Sequence, residues 1–264
     1  MAFNKNELVL DRVRSLTAHD LSTNEILFRL TQLEEPSLTC TAEGEQVTDA
    51  VGALITTMYR AKQATFSATN SLFSLDLAAS QYGTKKVQGD TGSEIIDYTY
   101  DILTFTEDDA TEGVTLSKTP ANANEIKFAY EIVDGGIGKS FRAGAAASAT
   151  DFQVSANKII PPTDFTGKLF VEYTYKNENA AMVRNTASEF PEACSVIVYA
   201  YFRDVCNENI VYSGKIIIPK AKLNPESIEI ALTSTGKHPF EFTVNKDYCA
   251  EEGEDTLFEI IVSQ

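Results

Sequence analysis

Across 264 residues, 22 Lys and Arg stand against 38 Asp and Glu, a net charge of −16. That balance excludes a general duplex-DNA binder, which must replace phosphate counterions with basic side chains, though it does not exclude DNA passing nearby. With 43% hydrophobic and 23% charged residues, the chain is an ordinary globular one of one or two domains at about 150 residues each, and not a disordered one.

Met1–Arg14 carries scattered charge without the apolar stretch of a secretory signal, and no window reaches eighteen uninterrupted apolar residues, so neither an export signal nor a transmembrane helix is expected. Ile26, Phe28 and Leu30 alternate with Leu27, Arg29 and Thr31, the period of a half-buried strand. Ser22 with Glu25 also fits a capping box, but the alternation and Pro36 favour strand. Leu54–Arg60 and Ala64–Thr69 are two β-suited runs around Ala61-Lys62-Gln63, which reads as a long hairpin with its turn there. One segment predicts a helix: Asn70 or Ser71 as cap, Leu72, Leu75 and Ala79 at helical spacing, and Gly83 as the terminating left-handed residue.

Composition shifts at the acidic stretch 106–113 and again at the polar stretch 176–179. Between them, strands are expected at Ile126–Val133, Phe152–Ile160 and Lys168–Tyr175. Further on, Ser195–Phe202 and Lys215–Ile218 are nearly continuous apolar runs suited to buried strands, and Ile228–Leu232 and Phe240–Val244 alternate. The expected fold is mainly β: a sandwich or barrel-like domain from 1–113 and 176–264, with a long hairpin, one short helix and a small inserted β subdomain over 114–175. Two consecutive domains meeting near residue 185 are the competing division.

Motifs that carry chemistry are thin. Gly135-Gly136-Ile137-Gly138-Lys139-Ser140 ends like a phosphate-binding loop, but that loop needs a glycine where Val133 stands and a helix afterwards, so a glycine-rich hairpin turn is the better reading. Asp108, Glu112 and Gly113 loosely fit a calcium loop, yet Ala110 and Thr119 occupy two ligand positions. Cys40, Cys194, Cys206 and Cys249 are far apart without a C-x-x-C pair, and His19 and His238 are the only histidines, so no zinc set forms and reduced thiols are expected. Neither histidine has a nucleophile signature beside it. No catalytic residue, cofactor or metal is expected, and an enzyme reading has no anchor.

The stretch Met58–Thr69 places Arg60 and Lys62 among apolar and aromatic residues in an otherwise acidic chain, the make-up of an inter-subunit surface or of a solvated hairpin tip. The succession Met58–Ser67 and Leu72–Leu77 resembles structural proteins of tailed bacteriophages, as do Phe190-Pro191, Asp204-Val205-Cys206, Ile216–Leu223 and Gly236–Phe240. The tail-tube (major tail) class is the most similar in architecture, with a β-sandwich, a long hairpin, one flanking helix and often an immunoglobulin-like addition, which would be the insert here. The resemblance implies self-assembly into stacked rings around a DNA channel, with hairpin and helix between rings and Met58, Tyr59, Arg60, Lys62, Phe66, Leu72 and Phe73 at the subunit interface. It implies a homo-oligomer with other phage tail or head proteins as partners, DNA passing without specific binding, no membrane anchor, and a place in the virion after synthesis in the host cytoplasm. A head-decoration or head–tail connector protein is the alternative. A β-sandwich module for carbohydrate or a host surface is a third, and it predicts exposed aromatics on one face.

Overall fold

Short-range alternation of apolar and polar residues dictates most of the backbone, and the strands it produces run well past the segments that alternate most clearly. The computed structural model describes residues 7–205, 207, 209–226, 228–230, 236–246 and 256–263. The chain opens with β1 (Leu8–Asp20), β2 (Ile26–Leu30), β3 (Leu33–Thr48), β4 (Leu54–Asn70) and the helix α1 (Leu75–Tyr82). An inserted stretch follows, with β5 (Val87–Gln88), β6 (Ile95–Phe105), the four-residue α2 (Asp109–Glu112), β7 (Val114–Thr115), a 3-10 turn, β8 (Phe128–Val133), β9 (Gly136–Gly144), β10 (Asp151–Ser155), β11 (Lys158–Ile160), β12 (Gly167–Asn177) and β13 (Ala181–Met182). The chain then returns through β14 (Ala193–Asp204), β15 (Val211–Leu223), β16 (His238–Val244) and β17 (Glu259–Ser263). The fold is mainly β, as expected.

Two compact units result, one from the segments up to Lys86 and from Val183 onward, the other from Val87–Met182. In the first, antiparallel strands run in the order β2-β1-β14-β15-β16-β4-β3, with β17 on the half of β15 that β16 leaves free. The sheet curves into a nearly closed barrel. Its buried interior takes every second residue: Leu16 and Ala18, Phe28 and Leu30, Val196 and Val198, Phe240, Phe242 and Val244. Phe28 stacks on Phe242 at 6.4 Å, and Leu77 of α1 joins this core.

The helix starts later than its spacing predicts. Asn70 still belongs to β4, and the Ser71 amide donates to the Gln32 carbonyl, so the strand's ladder claims these groups first. Ser74 is the cap, its hydroxyl accepting from the Leu77 amide. Gly83 ends the helix at φ 72°, and a Cβ there would lie 2.2 Å from the Phe190 carbonyl oxygen, so both conformation and space require glycine.

The second unit is wider than 114–175. β6 pairs with β12 from Ile95↔Asn177 to Phe105↔Gly167, which carries 95–105 into the insert's sheet. The acidic stretch near 106, expected as a border, is an internal turn containing α2. The sheet runs β6-β12-β8-β9-β10-β11-β7, with β9 and β10 parallel and the other pairs antiparallel. Its core gathers Leu103, Phe105, Phe141, Phe152, Ile159, Leu169 and Val171. β5 and β13 pair the chain entering the unit with the chain leaving it. The Gly135 motif is a two-residue hairpin turn between β8 and β9, with Asp134 at φ 51° and Gly135 at φ 81°, the geometry that Asp-Gly favours. Residues 228–230 form no strand, and Leu232, Cys206 and Cys249 lie outside the described residues. Cys40 and Cys194 are free thiols, and burial pushes Cys194 up to about 12.

Candidate assembly surface

Leu54–Asn70 is one strand, not two, and its hairpin partner is the preceding β3. Thr41 pairs with Gln63 and Glu43 with Arg60, so Ala61 and Lys62 oppose the single residue Ala42. This β-bulge, with Ala61 at φ 49°, absorbs the residues expected to form a turn. The turn lies at Asp49–Ala53. Asp49 accepts from the Val51 amide at 3.0 Å and the Ala53 amide at 2.7 Å, and Gly52 takes φ 86°.

Beyond the bulge the hairpin becomes an arm exposed on both faces. β16 accompanies β4 only from Ala64 to Asn70, and β3 is the last strand of its sheet, so neither outer edge of the arm has a strand partner among the described residues. An isolated two-stranded ribbon is marginal in water, and unpaired edges invite pairing with another chain. This one nonetheless presents Val51 (88% exposed), Leu54, Ile55, Met58 and Tyr59 (74% exposed). Tyr59 lies opposite Gly44, with its ring 3.4 Å from where a Cβ would sit, so the ring covers the gap that glycine leaves.

The residues expected at an interface divide into three places. Met58, Tyr59, Arg60 and Lys62 lie exposed on the arm. Phe66 does not, because it is on the proximal part of β4, where alternate residues turn into the barrel, and it packs near Phe240 in the core. Leu72 and Phe73 are exposed at the other end of β4, roughly 55 Å from the arm's turn by strand length. The two basic side chains of the arm do not stand apart from acid. Arg60 pairs with Glu45 across the strands at 2.9 Å, so the arm carries mixed charge. Val51, Leu54 and Ile55 join the exposed apolar set although the spacing singles out none of them for an interface; Asp49 and Gly52 are the local signal of the turn that places them.

The base at Leu72 and Phe73 is held by a polar network. His238 is fully buried, with Nε2 2.7 Å from Gln81 Oε1, Nδ1 3.4 Å from the Ser74 amide and its ring stacked on Phe73 at 5.1 Å. Gln81 donates to the Pro239 carbonyl at 3.1 Å. These contacts fix the neutral tautomer protonated on Nε2, with Nδ1 accepting. Lys237 pairs with Glu34, which also accepts from the Ser71 hydroxyl; the two donors hold the Glu34 carboxyl below its usual range. On the β1–β2 turn, Asp20 accepts from the Ser22 hydroxyl and from the Thr23 and Ser22 amides, which draws it down to about 2.

Burial lowers the His238 pKa, which gives a pH signature. The folded state prefers neutral His238, so its contribution is complete above the unfolded value near 6.5 and is lost as pH falls through the lower folded value. The thermal midpoint should be flat from pH 8 to 7 and decline as the pH falls below about 6.5, before the carboxylates begin to protonate. His238→Gln should flatten that decline in a calorimetric pH series; an unchanged slope would exclude His238 as its source.

A sequence model of the YomU/Tube protein family matches residues 8–255. No curated protein matches the chain.

Proposed function

Because the chain belongs to the YomU/Tube protein family, phage-derived proteins of tube type, we propose that it is a non-enzymatic virion subunit that assembles into stacked rings forming a tail tube. The arm carries this reading: a two-stranded ribbon with free edges and exposed apolar side chains on both faces has a use only when a second chain covers it. The tip of one subunit, with Val51, Leu54 and Ile55, meets the apolar base of another near Leu72 and Phe73, so one strand's length sets the ring spacing. In a closed ring the outer edges of β2 and β3 are satisfied by neighbours. Other tail or head proteins cap the assembly, and an excess of acid facing the lumen repels phosphate, so DNA slides without binding.

Negative-stain electron microscopy over a concentration series tests this. Hollow tubes or stacked rings of uniform width are expected. Small particles at every concentration, even with preformed tube ends added, would instead favour a decoration or connector protein.

A further inference from the structure

The outward face of the second unit breaks the usual rule for an antiparallel sheet with one solvated side, where polar residues face water. On β6 the outward positions are Ile96, Tyr98, Tyr100 and Ile102, with Tyr98 75% and Tyr100 61% exposed. The register sets Phe170 beside both Ile102 and Tyr130, Glu172 beside Tyr100, and Thr174 beside Tyr98. Tyr100 and Phe170 stack at 5.2 Å, and Phe128 and Tyr130 at 6.5 Å. Tyr98, Phe128, Tyr130, Glu172 and Thr174 line a groove of about 370 Å³, with Glu125 and Lys127 beside them. That volume lies within the range of small-ligand sites.

The chemistry of the groove selects its occupant. Glu172 is exposed in the middle of the aromatic face, and its carboxylate has no hydrogen-bond or ion-pair partner among the described residues. A dry protein surface laid over it would strand a carboxylate, which costs several kcal/mol per ion, and the cores of protein interfaces are depleted of Glu for that reason. Nucleic acid is disfavoured too, since Val87–Met182 holds seven Lys and Arg against fifteen Asp and Glu. A ligand that suits both the rings and the carboxylate has apolar C–H faces to lie on Tyr98 and Tyr100 and hydroxyls to donate to Glu172. We propose that this face is a binding platform for a neutral, hydroxyl-rich polysaccharide, a role independent of tube assembly.

The test is affinity electrophoresis of the full chain in native gels cast with a neutral α-glucan, a β-glucan or a mannan, with polygalacturonate as the charged control. At least one neutral gel should retard the chain. Tyr98→Ala with Tyr100→Ala should weaken retention at least tenfold, Glu172→Gln several-fold, and Tyr98→Phe little, because the ring face remains. These positions are exposed, and unchanged thermal unfolding of each variant verifies the fold. No retardation in any neutral gel, or equal retardation of the double variant, overturns the proposal. So does sedimentation showing that the double substitution only dissolves a self-associated species, which would assign the face to a second copy. The double variant should still form tubes, so the platform and the tube reading fail separately.

Discussion

A chain carrying Val51→Asp, Ile55→Asp and Tyr59→Asp should remain a folded subunit and fail to form tubes. All three side chains are exposed on the arm and touch neither buried core, so the unfolding free energy should stay within about 1 kcal/mol of the parent. Assembly is another matter. Full burial of a large apolar side chain is worth about 1.5–3 kcal/mol, and even partial burial at about 1 kcal/mol each makes the triple change worth about 3 kcal/mol per contact. The subunit concentration needed for assembly should therefore rise roughly a hundredfold, before the repulsion of three added carboxylates is counted. Light scattering against concentration reads this directly. Parent-like polymerisation of the triple variant would remove the arm from the interface.

Phe242→Ala should do the reverse, weakening assembly by destabilising the fold of the subunit and not by altering the arm. Phe242 is fully buried between Phe28, stacked at 6.4 Å, and Phe240, edge-on at 5.8 Å. Removing such a ring costs about 3–5 kcal/mol, a large share of the roughly 5–15 kcal/mol that holds a typical domain. Phe66→Ala belongs to the same class, so its loss of tubes would report the core and not an interface. The second unit has its own core of Phe105, Phe141, Phe152 and Leu169. Denaturant unfolding followed by near-ultraviolet circular dichroism should thus show one transition moved to lower denaturant and one unmoved. A single transition shifting as a whole would show that the two cores melt together.

Local chemistry made much of this molecule legible in its sequence. Period-two alternation identified β2 and β16, the apolar runs identified β14 and β15, and Gly83 marked the end of α1 because only a residue at ease at positive φ closes that helix. The quoted phage-like segments pointed to the tube family that the match over residues 8–255 establishes. These features depend on residues close together in the chain, and so on spacing alone.

Tertiary structure decided what depends on partners distant in sequence. The residues Ala61-Lys62-Gln63 look like a turn, yet pairing with β3 makes Ala61 and Lys62 a bulge and moves the turn to Asp49–Ala53. Phe66 and Tyr59 are both aromatic residues of one strand; the first is buried because β16 and the barrel lie beside it, the second is exposed because the strand has run beyond them. The insert gained 95–105 through the register of β6 on β12, and the exposed Glu172 carboxylate among aromatic rings came from that same register. Sequence fixes which way successive side chains alternate along a strand; only the neighbouring strands determine which side meets a core and which meets water.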